Sequence, residues 1–289
     1  MKGDTFVVLG GDMRGFHLAA AIRADGHQAF LYGFDKLKQP PDCPPLETVL
    51  REARVVLGAT PCCSSPDALN TPFHEGCLSA EAVLEHMRAG QVFIAGRVPV
   101  EIMQAMTARG VAVYDILARE EMAVLNAIPT AEGAIQLAME RLPITLHDAD
   151  ALVMGYGRIG KILAKMLQGI GARVHVAARK LSDAALLRSY GHSFVPFEKL
   201  DESLGRMDVI FNTVPQILLD RAKLQFVRKD CVLIDMASRP FGIDFDASKD
   251  AGLEVIWAPS LPGKAAPVTA ARYIYETVRN ILQEGEGMV

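Results

Sequence analysis

Along this chain, short apolar runs alternate with segments whose apolar residues recur every three or four positions, and glycine-containing turns separate the two. That alternation predicts strand, turn and helix in repetition, the pattern of a parallel α/β sheet. It occurs twice. In the first half "TFVVLGG", "QAFLYGFD", "RVVLGATP", "QVFIAG" and "VAVYD" read as strands, with helices over "GFHLAAAIRADG", "SAEAVLEHMRAG" and "PVEIMQAMTARG". Ser79 and Pro99 open the last two helices, as capping and first-turn preferences favour. From residue 149 the alternation resumes with "DALVMG", "GRIGKILAKMLQGIG", "ARVHVAAR", "SDAALLRSYG", "HSFVPF", "MDVIFNTVP", "DCVLIDMAS" and "LEVIWAPS". Between the two halves, "AREEMAVLNAIPTAEGAIQLAMERLP" is helical on both sides of Pro129; a proline there predicts a break and hence a pair of helices. The tail "PVTAARYIYETVRNILQEGEG" predicts one amphipathic helix with Val268, Ala271, Tyr275, Val278 and Leu282 on its buried face.

The expected fold is therefore two Rossmann-like, doubly wound parallel-sheet domains of the α/β class, at residues 1–118 and 145–266, joined by hinge helices over 119–144. The C-terminal helix, 267–289, is placed to return to the first domain. Composition changes little in this picture but excludes several functions. With 50% hydrophobic and 22% charged residues the chain reads as globular, and a net charge of −4 without a basic block argues against nucleic acid as a partner. No apolar run approaches the ~18–20 residues that cross a bilayer, and the N-terminus reads as a strand rather than a signal peptide, so a cytoplasmic location without membrane association is expected. Five cysteines without framework spacing read as reduced thiols. "CCSSPDALNTPFHEGC" gathers Cys62, Cys63, His74 and Cys77, but it lacks paired C-x-x-C hooks, and no metal is expected.

The chemistry points to the second domain. Gly155-Tyr156-Gly157-Arg158-Ile159-Gly160 is a G-x-G-x-x-G turn that follows an apolar strand and opens a helix with an apolar stripe at Ile159, Ile162, Leu163, Met166, Leu167 and Ile170. In that setting the first glycine permits the tight turn, the second admits a pyrophosphate, the third lets helix and strand pack, and the helix N-terminus supplies N–H groups. The next strand ends at Ala178 and is followed by Arg179, Lys180 and Ser182, with no acid where NAD-binding domains hold the ribose hydroxyls. Two cations and a hydroxyl suit a 2′-phosphate, so NADP is the expected cofactor. Thr213, Val214 and Pro215 are expected along the dinucleotide, Ala237 and Ser238 near the nicotinamide ribose, and Lys264 near the ring.

The first half carries a second glycine turn, "VVLGGDMRG", but Asp12 and Arg14 stand where a dinucleotide motif needs small residues. A substrate role suits it better, with Arg14, Arg97 and Arg119 available to carboxylates; for each arginine a surface salt bridge is the plain alternative. The front lobe would then present substrate, and the later lobe a nicotinamide.

"GGDMR", "YGFD", "NAIPTAEGAI", "GYGRIG", "NTVP", "DMASRPFGIDF" and "APSLPGKAAPVTA" occur in this order. Together they resemble the dipicolinate synthase A subunits of spore-forming bacteria. The resemblance implies an NADP-dependent enzyme of the mother-cell cytoplasm that makes dipicolinate during sporulation, from dihydrodipicolinate or its hydroxylated tetrahydro precursor. It also implies a partner, a separate, flavoprotein-like B subunit. Carried over, the family's segments fall on Gly10, Gly11, Asp12 and Arg14, on Asn126, Pro129, Thr130, Glu132 and Gly133, and on Ser238, Arg239 and Pro240. Asp12, Arg14, Glu132 and Lys264 are the candidates for catalysis, and Arg97, Arg119, Asn126, Thr130 and Arg239 for substrate binding. His17 is a further candidate for proton work, though its place in a helix suits packing. Two alternatives stand beside this reading: another two-domain NADP dehydrogenase, of the amino-acid or methylene-tetrahydrofolate type, and a non-catalytic nucleotide-binding scaffold subunit. A homo-oligomer is expected because the hinge helices look too apolar for solvent.

Overall fold

A computed structural model describes residues 3–66 and 68–286. It divides into two compact units, one of residues up to Asn126 together with those from Ala266 on, the other Ala127–Ala265.

In the first unit the strands are β1 (Thr5–Leu9), β2 (Gln28–Tyr32), β3 (Val55–Leu57), β4 (Cys63–Ser65), β5 (Ala68–Leu69), β6 (Val92–Ala95) and β7 (Ala112–Asp115). Helices α1 (Met13–Ala24), α2 (Leu46–Glu52), α3 (Ala80–His86) and α4 (Val100–Ala108) connect them. Five strands form a parallel sheet in the order β2-β1-β3-β6-β7, and β4 and β5 form a small hairpin. Renumbered along the sheet's own strands this is 2-1-3-4-5, the order of flavodoxin-like folds. Helix α5 (Glu120–Arg141) follows.

The second unit holds β8 (Asp150–Met154), α6 (Arg158–Ile170), β9 (Arg173–Ala178), α7 (Leu181–Ser189), β10 (Ser193–Pro196), α8 (Asp201–Leu204), β11 (Val209–Asn212), α9 (Arg221–Leu224), β12 (Val232–Asp235), α10 (Phe245–Asp250), β13 (Val255–Trp257) and α11 (Leu261–Ala265). Its six strands are all parallel, ordered β10-β9-β8-β11-β12-β13. That is 3-2-1-4-5-6, the order of dinucleotide-binding domains, in which the ligand lies where the order reverses beyond the carboxyl ends of the strands. The expected fold class, two doubly wound parallel-sheet domains, is thus what the chain adopts.

Helix α12 (Pro267–Glu286) belongs to the first unit, where Ala271, Ile274, Tyr275, Val278, Ile281 and Leu282 join the core formed by β1, β2 and α1. The Tyr275 hydroxyl donates to Asp25 at 2.8 Å. Val268, expected on this buried face, is exposed, because the stripe begins a turn later. The last three residues of the expected helix, 287–289, lie outside the described residues.

The middle segment corrects the expected pair of hinge helices: α5 is a single helix with Pro129 inside it. Proline removes only the bond from its own missing N–H and strains one turn. Against that, Ala131, Ala134, Ile135 and Ala138 pack into a core with β8 and α6, and such tertiary burial outweighs local propensity. The apolar width that suggested a second copy of the chain is in this stretch used within the chain itself.

Candidate functional site

The carboxyl edge of the second sheet is built in one row. Register pairs Met154 with Asn212, Asn212 with Asp235, and Asp235 with Trp257. The residues after these strand ends form the site, and three glycines set its geometry. Gly155 has φ +99, a left-handed conformation that glycine adopts without steric cost, and a Cβ there would lie 2.5 Å from Thr213 Oγ1 and 2.7 Å from Val214 Cγ2. Gly160 has no room either: its Cβ would lie 2.0 Å from the Gly155 carbonyl oxygen. These two glycines are required by the protein's own packing.

Gly157 is different. It caps the N-terminus of α6 with ordinary φ and ψ (−82 and −162) and makes no side-chain cap, and a Cβ added to it would meet nothing within 4 Å. Neither backbone nor packing calls for glycine here. What the missing side chain leaves is space at a helix N-terminus, where unpaired N–H groups and the helix dipole attract phosphate. That space opens onto a cavity of about 480 Å³ lined by Gly155, Tyr156, Gly157, Arg179, Lys180, Thr213, Val214 and Pro215, together with Ala178, Asp183, Phe197, Glu198, Gln216 and Leu218. A dinucleotide's phosphates and adenosine fit this donor set. Burial, with Tyr190 and Asp183 nearby, pushes the Tyr156 hydroxyl pKa up, so at neutral pH it remains a donor.

The rim of the cavity departs in part from expectation. Arg179 and Lys180 stand where expected and are exposed, but Asp183 and Glu198 also line the space. Ser182, Ala237 and Ser238 do not line it; Ser182 and Ser238 are exposed, and Ala237 is buried. Arg158 and Ile159 lie in the first turn of α6, outside the lining.

Behind the cavity lies a network that sequence reasoning missed. Asn212 and Asp235 are both fully buried. Asn212 donates from Nδ2 to Asp235 Oδ1 at 2.8 Å and to the Val214 carbonyl at 3.0 Å, and accepts the Val214 N–H at 3.1 Å. Asp235 also accepts the N–H groups of Ala237 (2.9 Å), Gly242 (2.8 Å) and Ile243 (3.1 Å). A buried carboxylate needs such a full set of donors. It pins two strand-end loops, 213–215 and 236–243, on the cofactor edge. Polar residues ending apolar strands, as in "IFNT" and "LIDM", were the available signal.

The first unit's glycine turn has a different occupant. Asp12 caps α1, accepting the Arg14 N–H at 3.0 Å. The buried Arg14 guanidinium doubles back onto the same carboxylate (2.9, 3.1 and 2.9 Å) and donates to the Thr60 carbonyl at 2.8 Å. The space around Gly10, Gly11 and Gly15 is only about 20 Å³, scarcely one water. Asp12 and Arg14 thus pair with each other at the start of α1. Arg119 is similarly engaged: it pairs with Glu121 at 2.6 Å and bidentately with Glu284 at 2.7 Å, which pushes its own pKa up and ties β7's end to α12. Both arginines are thus already paired within the first unit.

The remaining candidates are dispersed. Glu132 is exposed and lines a groove between α5 and α6 with Gln136, Met139 and Met166, sharing no residue with the cofactor cavity. Asn126 and Thr130 lie on α5, Thr130 buried. Arg97 is exposed at the end of β6 with φ +54, its backbone N–H held by Asp115 at 2.9 Å. His17 lies in α1 against Phe16. Lys264 is exposed on α11 and shares a cleft of about 190 Å³ with Trp257. Arg239 is exposed in the loop after β12, 5.6 Å over the Phe241 ring. His74, which the sequence sets beside the cysteines, lies 2.6 Å from Asp35. No helix among the described residues is long and apolar enough to cross a membrane.

Comparison with known proteins agrees with this geometry. Residues 5–117 match the N-terminal domain of the dipicolinate synthase A subunit, and residues 102–244 match the NAD-binding domain of D-isomer-specific 2-hydroxyacid dehydrogenases. The second unit is thus a nicotinamide-dinucleotide-binding domain of dehydrogenase type. The dipicolinate synthase A subunit of Bacillus subtilis is 28% identical over 98% of this chain and 97% of its own. The crystal structure of the Bacillus halodurans A subunit superposes with a TM-score of 0.86 at 27% identity, over 97% of this chain and 98% of that one. The B. subtilis structure gives 0.86 at 25% identity, over 100% and 99%. Over essentially its whole sequence, then, this chain is a relative of the dipicolinate synthase A subunits, and its residues 5–117 carry that family's N-terminal domain.

Proposed function

We propose that the chain is the NADP-dependent oxidoreductase subunit of a dipicolinate-forming enzyme, acting on dihydrodipicolinate or its hydroxylated tetrahydro precursor. The observation that carries the redox part is Gly157, a glycine required by neither backbone nor packing, at a helix N-terminus that opens on the cavity. The substrate class rests on the whole-chain likeness to a dipicolinate synthase. Oxidising the dihydropyridine ring releases a hydride and a proton and gains aromaticity; bound nicotinamide supplies the hydride acceptor. The chain's share is to hold the dinucleotide on the Gly157 turn and the Thr213–Pro215 loop, to grip two carboxylates, and to take one proton. The aromatic product lowers the chemical barrier, so positioning outweighs a strong base. From the hydroxylated precursor, water leaves before the hydride does.

For the 2′-phosphate we propose Arg179 and Lys180, two cations on the cavity rim. A second reading, NAD, is favoured by Asp183 and Glu198 on the same rim, since a carboxylate accepts ribose hydroxyls and repels a phosphate. Titrating both cofactors into the protein and into Arg179→Asp separates them: tighter NADP binding that reverses in the variant supports the first, and an unchanged preference refutes it.

The reaction is tested by following dipicolinate absorbance with NADP and enzymatically generated dihydrodipicolinate. Formation by the purified chain alone supports catalysis by this protein. Formation only with a flavoprotein-like B subunit supports a shared site, and no formation in either case sinks the reading. We further propose that the chain works in the mother-cell cytoplasm of a spore former, on the strength of its resemblance to the dipicolinate synthase A subunits, and that a homo-oligomer forms over exposed apolar residues such as Val124 and Met139. A monomeric mass in sedimentation would remove the last.

A further inference from the structure

Beyond β12 the chain makes a turn unlike the others at this edge. Phe241 has φ +71, a strained region that bulky residues rarely enter. The position is over-determined: the next two N–H groups, of Gly242 and Ile243, are held by buried Asp235, and Phe241's own N–H donates to the Ser238 carbonyl at 2.9 Å. Gly242 admits no side chain, since a Cβ would lie 2.0 Å from Asn212 Nδ2. The strained turn holds the Phe241 ring edge-on to Trp257, with centroids 5.5 Å apart, and braced by Phe245 at 5.1 Å. Trp257 ends β13 and is 48% exposed.

Over this aromatic pair stands Arg239, its guanidinium 5.6 Å from the Phe241 centroid. Among the described residues no carboxylate pairs with Arg239. A guanidinium at cation–π distance from a ring keeps its N–H fork free, and that fork matches a carboxylate bidentately. On the other side Trp257 walls a cleft with Lys264, a second exposed cation. The row Asn212–Asp235–Trp257 places this shelf two strands along the edge from the Thr213 loop, roughly 10 Å at ordinary strand spacing.

We infer that Arg239, Phe241 and Trp257, with Lys264 beyond, form a subsite for a planar ring carrying carboxylates. The half-exposed Trp257 supplies a flat apolar face, the Phe241 ring braces it edge-on and carries Arg239, and the two cations supply charge complementarity. The inference deepens the function proposed above and rests on it for the identity of the ring, but its test does not depend on turnover.

Trp257 is the chain's single tryptophan, so its emission, excited at the red edge, reports on this shelf alone. Pyridine-2,6-dicarboxylate titrated into the full chain is expected to change that emission saturably. Glutarate, which has two carboxylates and no ring, should bind at least tenfold more weakly. Arg239→Ala should weaken the ring's binding at least tenfold, with NADP affinity unchanged, Arg239→Lys less, and Lys264→Ala severalfold. Arg239 and Lys264 are exposed, so these variants leave the core untouched. Binding unaltered in Arg239→Ala overturns the subsite. So does binding seen by equilibrium dialysis with silent Trp257 emission, or no binding by either readout. Turnover by the unmodified protein, measured separately, tells the two failures apart. Dipicolinate formation with a silent Trp257 sinks the subsite and leaves the function; Arg239-dependent binding without turnover, alone or with the B subunit, keeps the subsite and sinks the function.

Discussion

The chain builds the same device twice, a glycine turn between the first strand of a parallel sheet and the first helix, and leaves a large open cavity before it only in the second unit. Around Gly10–Gly15 and Gly155–Gly160 the backbones follow the same plan. In each, a left-handed glycine ends the strand, and a glycine in the first turn of the helix packs on the carbonyl of the strand-end glycine, Gly15 on Gly10 and Gly160 on Gly155. The difference is the residue at the helix cap. Asp12 fills it with a carboxylate and draws Arg14 over it, so charge and volume are satisfied from within. Gly157 leaves it open. What separates the two turns is thus the cap residue and the space before it rather than the strand–turn–helix plan, which both share.

The comparison breaks most sharply at Gly157. Gly157→Val should lower dinucleotide affinity at least 100-fold, about 2.7 kcal/mol, while circular dichroism and melting stay as they were, because a Cβ at this position meets no protein atom within 4 Å. Loss of folding, or binding that survives, would show that this glycine answers to packing. Next in size, Arg14→Ala in the other turn should destabilise the fold by about 1–3 kcal/mol, since it strips partners from Asp12 and the Thr60 carbonyl. Dinucleotide affinity should not move; a drop would place cofactor on the first turn. Arg179→Asp should shift the NADP-to-NAD affinity ratio toward NAD by about tenfold.

The smallest effect lies at the opposite end of the second sheet. There Arg173 chiefly, and His175 at 2.8 Å, hold the Asp150 carboxyl below its ordinary value of 3.8. A pKa lowered by folding contributes stability above that value, and the contribution fades as pH falls through and below it. Asp150→Asn should therefore flatten the acid limb of stability below about pH 4 and leave cofactor binding unaltered. An unchanged acid limb would mean that the pair carries no linkage.

Much of this was legible from residue spacing. G-x-G-x-x-G before a stripe at Ile159, Ile162, Leu163, Met166, Leu167 and Ile170 specifies a strand, a tight turn and a sheet-packed helix by local rules alone. Lys180 and Thr213 followed from where strands end. What stayed hidden depended on pairing across the sequence. Arg14 reaches a carbonyl 46 positions away, and Arg119 a carboxylate 165 away. No periodicity announces either, and the sequence left open whether each arginine holds a carboxylate ligand or an ion pair of the chain's own. Asp183 and Glu198 were hidden for the same reason: they approach the cavity from a helix and a connection whose placement only the folded sheet decides. At Pro129 a local rule lost to burial of the small residues around it. Phe241 and Trp257 sat in quoted segments, but their meeting required register between β12 and β13.

Hydrogen–deuterium exchange on the unmodified chain, with and without saturating NADP, interrogates both turns in one experiment. Slowed exchange of the amides at 155–160 and 213–216, with no change at 10–15, is the result this account predicts. Protection at 10–15, or none at 155–160, would contradict it.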